Sequence, residues 1–103
     1  MKWGEIRWYR FPSPDKRRPV LLLTRDSALE ILGGVTIAPI TTTIRDITSE
    51  VLLTNEDGLP RESVVNLDHV QTVPRGRLGG AIATLTSARM EQVRAALLFA
   101  LGM

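Results

Sequence analysis

The 103-residue sequence contains no cysteine and a single histidine, His69. Without cysteine, the chain cannot form a disulfide framework, a thiolate zinc site or a cysteine nucleophile. One histidine likewise excludes a metal site built from several histidines of one chain. Aromatic residues make up only 5% of the sequence, which limits base stacking. We therefore expect no metal ion and no other cofactor.

Long hydrophobic runs are also missing. The first residues do not form an apolar segment of signal-peptide length, and no later stretch approaches the length of a membrane span. These absences predict a cytoplasmic protein with no membrane contact. The hydrophobic fraction of 44% and the charged fraction of 23% favour a packed core, and the length predicts a single domain over residues 1–103. A net charge of +2 is weak evidence for a nucleic-acid partner.

Short β-rich segments separated by turns dominate the chain. The hydrophobic patterns predict strands over residues 5–9, 20–23, 35–40, 50–53, 63–67, 70–73 and 81–85. Pro39 cannot donate to a ladder, so we expect the third strand to be an edge or to carry a bulge near its end. Without a βαβ rhythm, the pattern predicts a mainly β (α+β) fold, a small and strongly curved antiparallel sheet or partial barrel.

Two helices are predicted. A short one over 28–32 would be capped by Asp26 or Ser27. The longer one spans 87–101, with Thr86 or Ser87 as its N-cap and Gly102 at its end. Its apolar residues recur at helical spacing and predict one buried face, formed by Met90, Val93, Leu97 and Leu101.

The basic cluster Lys16, Arg17 and Arg18 is the first candidate for function. It follows a loop over residues 11–15 and precedes a buried strand, so it should lie at the rim of the sheet. Three cations there could hold a phosphate backbone, since guanidinium groups match phosphate oxygens. Charge runs are also common on solvated loops. The pattern alone therefore does not decide between a phosphate-binding cluster and a solvated basic loop.

Thr41, Thr42 and Thr43 follow the break at Pro39 and form the second candidate. Their hydroxyls could donate hydrogen bonds to a phosphoryl oxygen. Threonines are equally ordinary residues of β-strands.

Asn66, Asp68 and His69 form the third candidate for function. Strand alternation would place Asn66 and Asp68 on one face, and an aspartate beside a histidine could supply an acid and a base. Alternatively, these polar groups satisfy backbone atoms at a turn.

Taken together, the sequence resembles the MazF/PemK family of toxin–antitoxin ribonucleases over nearly its whole length. Five segments carry the resemblance in the family's order: residues 4–6 (Gly-Glu-Ile), 18–23 (Arg-Pro-Val-Leu-Leu-Leu), 37–43 (Ile-Ala-Pro-Ile-Thr-Thr-Thr), 58–68 (Gly-Leu-Pro-Arg-Glu-Ser-Val-Val-Asn-Leu-Asp) and 70–73 (Val-Gln-Thr-Val). The family's loop before the arginine is usually longer than here. Gln71 stands where many members have arginine.

The resemblance implies an SH3-like twisted antiparallel barrel with a C-terminal helix, as in MazF, CcdB and Kid. It further implies a homodimer whose interface groove receives single-stranded RNA. The family's cleavage residues correspond to Arg18 and Thr41, and in some members to Asp68 as the base. Lys16, Arg17, Thr42, Thr43, Asn66 and His69 would then contact RNA.

By the same resemblance, the natural partner is an antitoxin with a disordered acidic segment, and cleavage needs no metal because the 2′-hydroxyl of the RNA is the nucleophile. Two alternatives remain at this stage. One is a CcdB-like inhibitor of DNA gyrase without enzymatic activity, although such proteins commonly end in a tryptophan-containing segment and this chain has no tryptophan after Trp8. The other is an SH3-like RNA-binding module without catalysis.

Overall fold

The computed structural model of the chain describes residues 1–12 and 16–103. Residues 13–15, which belong to the loop predicted over 11–15, lie outside this description. The described part contains seven strands: β1 (Glu5–Arg10), β2 (Arg17–Leu22), β3 (Gly34–Thr41), β4 (Glu50–Leu53), β5 (Ser63–Asn66), β6 (Gln71–Pro74) and β7 (Leu78–Thr84). Two α-helices accompany them, α1 (Asp26–Leu29) and α2 (Ser87–Leu101). Single 3₁₀ turns span Asn55–Asp57, Leu67–His69 and Arg75–Arg77.

The strands form one antiparallel sheet with the order β4-β5-β3-β2-β1-β7, and β6 pairs with β3 beside β5. The predicted curved antiparallel sheet with a C-terminal helix is therefore confirmed. Over residues 1–12 and 16–103, no pairing joins β7 to β4 or to β6. The sheet is consequently open and does not close into a complete barrel.

Pro39 lies where β3 changes its partner. On one side β3 pairs with β2 through Val20 and Pro39. On the other side residues 34–37 pair with β6, whereas Ile40 and Thr41 pair with β5. Of the two predicted alternatives, an edge strand or a bulge near the strand's end, the edge is wrong because β3 is central; the pairing on one side is interrupted at residues 38 and 39. The proline is tolerated since it falls in the gap between the two partners, where a missing N–H breaks no ladder bond on that side.

Both faces of the central strands are covered. Residues of β1, β2 and β3 that alternate along each strand enter two separate core clusters. Ile6 and Leu21 pack in the cluster that includes Met90 and Val93 of α2. The second cluster contains Tyr9, Val20, Leu22, Val35, Ile37, Val73 and Leu29. The continuous apolar run of β2 is thus explained by burial on two faces.

The C-terminal helix follows its predicted limits. The hydroxyl of Thr86 accepts a hydrogen bond from the Arg89 N–H at 3.2 Å, and Gly102 ends the helix in the left-handed region with φ of 72°. Met90 and Val93 are buried as predicted, but Leu101 is 59% exposed. Helical periodicity predicts which residues share an apolar face. It does not predict how far along the helix other elements cover that face, so the exposure of Leu101 was not foreseen.

The short helix was predicted less well. It spans Asp26–Leu29 rather than 28–32, and its N-cap, Arg25, makes no capping hydrogen bond through its side chain. Asp26 instead accepts a hydrogen bond from the backbone N–H of Trp3 at 2.6 Å. The carboxylate therefore holds the backbone at Trp3 in place instead of capping the helix. In the described residues, no helix has the length and apolarity required to cross a bilayer.

An ion pair ties the turn Asn55–Asp57 to α2. The Arg89 Nε donates to the Asp57 carboxylate at 3.0 Å, and the Thr54 N–H donates to it at 2.9 Å. Burial by itself would raise the pKa of Asp57, but the hydrogen bonds and the positive charge of Arg89 outweigh it, so the pKa lies below its ordinary value. Asp57 thus stabilises the fold as a carboxylate.

Candidate functional site

A groove of about 520 Å³ opens where β2 begins and where β3 and β5 end. It gathers residues that are far apart in the sequence: Phe11, Pro12, Lys16, Arg18, Pro39, Thr41, Thr43, Arg45, Asn66, His69 and Gln71. The antiparallel topology is responsible, because it brings the start of one strand beside the end of its neighbour. Two other cavities of the described residues are smaller, at about 340 Å³ and 150 Å³.

Arg18 and Thr41 meet in this groove from neighbouring strands. Val20 of β2 pairs with Pro39 of β3. Continuing this antiparallel register by two residues on each strand brings Arg18 opposite Thr41. Alternation keeps Arg18 on the face of Val20 and Thr41 on the face of Pro39, and both side chains line the groove.

The hydrogen bonds of Thr41 leave its hydroxyl proton available. Its Oγ1 accepts a hydrogen bond from the backbone N–H of Thr43 at 3.1 Å. A hydroxyl has one proton and two lone pairs, so the proton of Thr41 can still be donated to a bound oxygen. The contact with Thr43 holds the hydroxyl oxygen in place at the end of β3.

The groove is strongly cationic. Lys16, Arg18 and Arg45 line it, and its described lining includes neither aspartate nor glutamate. Arg45 is compensated, since its guanidinium lies 3.7 Å from the carboxylate of Glu50. No carboxylate of the described residues lies within ion-pair distance of Arg18 or Lys16. Uncompensated positive charge in a concave site attracts anions such as phosphates.

Asn66 and His69 form the wall of the groove that β5 and the following turn contribute. Asn66 ends β5 and is only 5% exposed. Its Oδ1 accepts a hydrogen bond from the Asp68 N–H at 2.9 Å. Its Nδ2 lies 3.4 Å from Nδ1 of His69. The amide therefore connects the backbone of the turn to the imidazole.

The carboxylate of Asp68 lies outside the groove lining. It is exposed and does not line the groove, and its Oδ2 accepts a hydrogen bond from the Ser49 hydroxyl at 2.5 Å. The prediction that alternation places Asn66 and Asp68 on one face was wrong, because β5 ends at Asn66 and a 3₁₀ turn follows. The 3₁₀ turn thus ends the strand alternation on which that prediction rested.

Arg17 and Thr42 also point away from the groove lining. The Arg17 guanidinium lies 4.3 Å above the centroid of a Trp8 ring. Thr42 lines a smaller cavity of about 150 Å³, which Trp8 and Pro19 also line. Thr43, by contrast, lines the main groove. Of the residues predicted from the sequence, the groove unites Lys16, Arg18, Thr41, Thr43, Asn66 and His69.

Several lining residues were not predicted. Phe11 and Pro12 continue directly from β1, and an aromatic beside a proline just before the basic cluster was a signal that sequence reasoning did not use. Arg45 stands isolated in a loop and reaches the groove only through tertiary folding. Gln71 was noted as a departure from the family pattern, and its Nε2 donates to the His69 carbonyl at 3.3 Å.

The donor set of the groove does not resemble a metal centre. In the part of the chain that is described, no group of three or more histidine, cysteine, aspartate or glutamate residues is placed to hold a metal ion. Polar groups of the groove are mainly hydrogen-bond donors and cations. Such a set suits an anionic ligand with several oxygen atoms.

A family model for the PemK-like, MazF-like toxins of type II toxin–antitoxin systems matches residues 2–101. The chain belongs to this family. It is 41% identical over 95 residues to the probable endoribonuclease MazF5 of Mycobacterium tuberculosis, covering 91% of this chain and 86% of that protein. The family resemblance inferred from the sequence is confirmed.

Solved structures of PemK/MazF-like toxins share the fold. The toxin MazF-mt6 of M. tuberculosis superposes with a TM-score of 0.89 at 36% identity, covering 96% of this chain and 97% of that one. An endoribonuclease in complex with its cognate antitoxin, from a mycobacterial species, superposes with a TM-score of 0.90 at 25% identity. The superposition covers 100% of this chain and 96% of that one. The open antiparallel sheet with its C-terminal helix is therefore the family's fold.

Proposed function

We propose that this chain is a toxin endoribonuclease that cleaves single-stranded RNA in the groove lined by Arg18 and Thr41. One observation carries the proposal: a guanidinium and a hydroxyl from adjacent strands converge in a cationic groove whose described lining has no carboxylate. A phosphodiester bound there would contact the positive charge of Arg18 and accept a hydrogen bond from the hydroxyl of Thr41. The related endoribonucleases of mycobacteria support the same activity.

The proposed reaction uses the RNA's own 2′-hydroxyl as the nucleophile. Its oxygen attacks the adjacent phosphorus, the bond from phosphorus to the 5′-oxygen breaks, and the products are a 2′,3′-cyclic phosphate and a 5′-hydroxyl. Because the nucleophile is internal, the protein mainly orients it and stabilises charge, which requires no metal. Arg18 stabilises the negative charge that develops on the phosphorane, and Thr41 donates a hydrogen bond to a non-bridging oxygen.

Arg18 acts through its charge rather than by proton transfer in this proposal. A guanidinium in a protein does not give up its proton near neutral pH. Its planar donors instead match two phosphate oxygens at once. Lys16 and Thr43 extend the same contact surface along the RNA backbone. Arg17 and Thr42 do not line the main groove, so Arg17 contributes only longer-range charge attraction and the uncharged Thr42 contributes little.

Asp68 stays the predicted base that takes the proton of the 2′-hydroxyl. Its carboxylate holds the Ser49 hydroxyl outside the groove lining, so acting as the base requires that this hydrogen bond be exchanged. Asp68→Asn tests the role cleanly, because the amide oxygen still accepts from Ser49 while the basic group is lost. A general base contributes about 10²- to 10⁴-fold. Cleavage at the unmodified rate would remove Asp68 from the mechanism.

The partners proposed here are a second copy of the chain and an antitoxin. A homodimer would place two grooves along one interface that receives the RNA. An antitoxin with an acidic, disordered segment complements the uncompensated charge of Arg18 and Lys16 and would fold on binding. A related endoribonuclease forms a complex with its cognate antitoxin, which supports an antitoxin as partner. An RNA substrate is consistent with the cytoplasmic location predicted from the sequence.

The test is cleavage of a mixed RNA by the purified chain in EDTA. We expect discrete fragments with 2′,3′-cyclic phosphate and 5′-hydroxyl ends. An oligonucleotide with deoxyribose at the scissile position should remain intact, since it lacks the nucleophile. Bound but intact RNA would indicate a non-catalytic binding module, and inhibition of DNA gyrase without RNA fragments would indicate a CcdB-like inhibitor. Either result would overturn the proposal, as would cutting of the deoxyribose substrate.

A further inference from the structure

The orientation of the Asn66 amide follows from its partner in the turn. The Asp68 backbone N–H points at the Asn66 side chain, and the two atoms are 2.9 Å apart. A backbone N–H can only donate, so the amide atom that it meets must be oxygen. The nitrogen of the amide is therefore the atom that faces His69. Because Asn66 is only 5% exposed, solvent has little part in deciding this orientation.

The amide orientation in turn decides which ring nitrogen of His69 carries the proton. The Asn66 Nδ2 lies 3.4 Å from the His69 Nδ1. An amide nitrogen donates and does not accept, so Nδ1 must present a lone pair. In a neutral imidazole the proton then resides on Nε2. A proton on Nδ1 would instead face the amide hydrogen of Asn66.

We infer that Asn66 is a positioning residue that holds the proton of His69 on Nε2, so that His69 donates a hydrogen bond to the bound phosphodiester. This inference rests on the proposed function of the groove. It assigns His69 as a donor to a non-bridging oxygen, alongside Arg18 and Thr41, and not as the base that takes the proton of the 2′-hydroxyl. Preorganised donors of this kind stabilise the charge that develops during phosphoryl transfer.

The surroundings of His69 agree with a donor. The described lining of the groove is cationic and contains no carboxylate, so no lining residue competes for the Nε2 proton as an anionic acceptor. Gln71 donates to the His69 carbonyl at 3.3 Å and holds the backbone of the same residue. With Nδ1 occupied by Asn66, Nε2 is the ring nitrogen left for a ligand.

The tautomer can be measured directly because His69 is the only histidine of the chain. In the full-length protein labelled with ¹⁵N, long-range ¹H–¹⁵N correlation of the neutral ring should show a protonated Nε2 and an unprotonated Nδ1. Asn66→Asp should reverse this pattern, since a carboxylate accepts from both the Asp68 N–H and a protonated Nδ1. Asn55→Asp, the same change at an exposed turn position, should leave the spectrum unchanged.

A proton on Nδ1 of the neutral ring in the unmodified protein would overturn the inference. The spectrum of the unmodified protein therefore tests the tautomer even if Asn66→Asp does not fold. An unchanged tautomer in a folded Asn66→Asp protein would also overturn it. These measurements need no RNA. Their outcome is therefore independent of whether the chain proves to be a ribonuclease.

Cleavage kinetics separate a donor from a base. His69→Gln retains an N–H donor, and we expect kcat within about tenfold of the unmodified protein, whereas His69→Leu should lose about 100-fold or more. At a pH where the ring is neutral, the kcat of Asn66→Asp should fall toward that of the leucine variant, because Nε2 then carries no proton to donate. Equal losses for the glutamine and leucine variants would indicate a base and overturn the inference. If no protein cleaves RNA, the proposed function fails, while the tautomer result stands.

Discussion

Arg17 and Arg18 are neighbours in β2 but lie on opposite faces of the sheet. The Arg18 side chain lines the cationic groove, whereas the Arg17 guanidinium lies 4.3 Å above the centroid of a Trp8 ring. Their separation follows from the alternation of side chains along a strand. Two adjacent and chemically identical residues therefore provide a matched pair for testing the groove.

Arg18→Ala should lower the rate of RNA cleavage by about 100- to 1000-fold, the range expected when one group that stabilises transition-state charge is removed. Arg17→Ala should retain the rate within about tenfold and reduce the salt dependence of RNA binding slightly. Single-turnover kinetics with saturating protein measures both. Circular dichroism establishes that each variant folds. Equal losses in the two variants would mean that general positive charge, rather than the position of Arg18, drives cleavage.

Thr41 and Thr42 provide a second matched pair. Thr41→Val removes the hydroxyl in the main groove and should slow cleavage by about 10- to 100-fold through the loss of one hydrogen bond to the phosphate. Thr42→Val makes the same change at an exposed residue that lines only the smaller cavity, whereas Thr41 lines both. The cleavage rate of Thr42→Val should be nearly unchanged. Thr41→Ser keeps the hydroxyl and should recover most of the rate. A serine variant as slow as the valine variant would argue against hydrogen bonding by Thr41.

Asp57 should make stability depend on pH in the acid range. Its pKa is lowered in the folded chain, so the stabilisation is present above the unfolded value of about 3.9 and is lost as pH falls through the folded pKa. Asp57→Asn should reduce the free energy of unfolding at neutral pH by about 1–3 kcal/mol, as expected for a hydrogen bond to a charged group. Urea unfolding at a series of pH values measures the difference between the two proteins.

That difference should narrow below about pH 4, where the aspartate of the unmodified protein loses its advantage. Glu56→Gln is the control, because Glu56 is the exposed neighbour of Asp57 and should change stability little. A difference that stays constant down to pH 2 would show that the charge of Asp57 does not contribute.

Gly58 should not tolerate a side chain. Its φ is +94°, and a Cβ at this position would lie 2.7 Å from the Cβ of Ala83. Left-handed backbone in a residue other than glycine costs about 1–2 kcal/mol, and overpacking costs a further 1–3 kcal/mol or so. Gly58→Ala should therefore lower the free energy of unfolding by about 2–5 kcal/mol in chemical denaturation.

The control for this change is Gly76→Ala, since a Cβ there would meet nothing within 4 Å. Its effect should stay within about 0.5 kcal/mol. If both alanine variants unfold at the same denaturant concentration, the close approach of Gly58 to Ala83 does not constrain the fold.

Local signals in the sequence were sufficient for most elements. The first strand β1, the apolar run of β2 and the cap formed by Thr86 are set by neighbours within a few residues, and each prediction is confirmed. Errors arose where a distant partner intervened. Asp26 was expected to cap α1, but its carboxylate binds the Trp3 N–H, a contact that helix-capping rules cannot anticipate.

The sequence by itself determined the strands, the C-terminal helix and the family, because hydrophobic periodicity, capping residues and ordered motifs are local properties of the chain. Only the tertiary structure decided how the candidate residues are grouped. It brought Asn66 and His69 beside Arg18 and Thr41, and the turn after β5 directed Asp68 to Ser49 instead. The physical reason is that strand pairing joins residues distant in sequence, and the change from strand to 3₁₀ turn after Asn66 ends the alternation that would have placed Asp68 beside it.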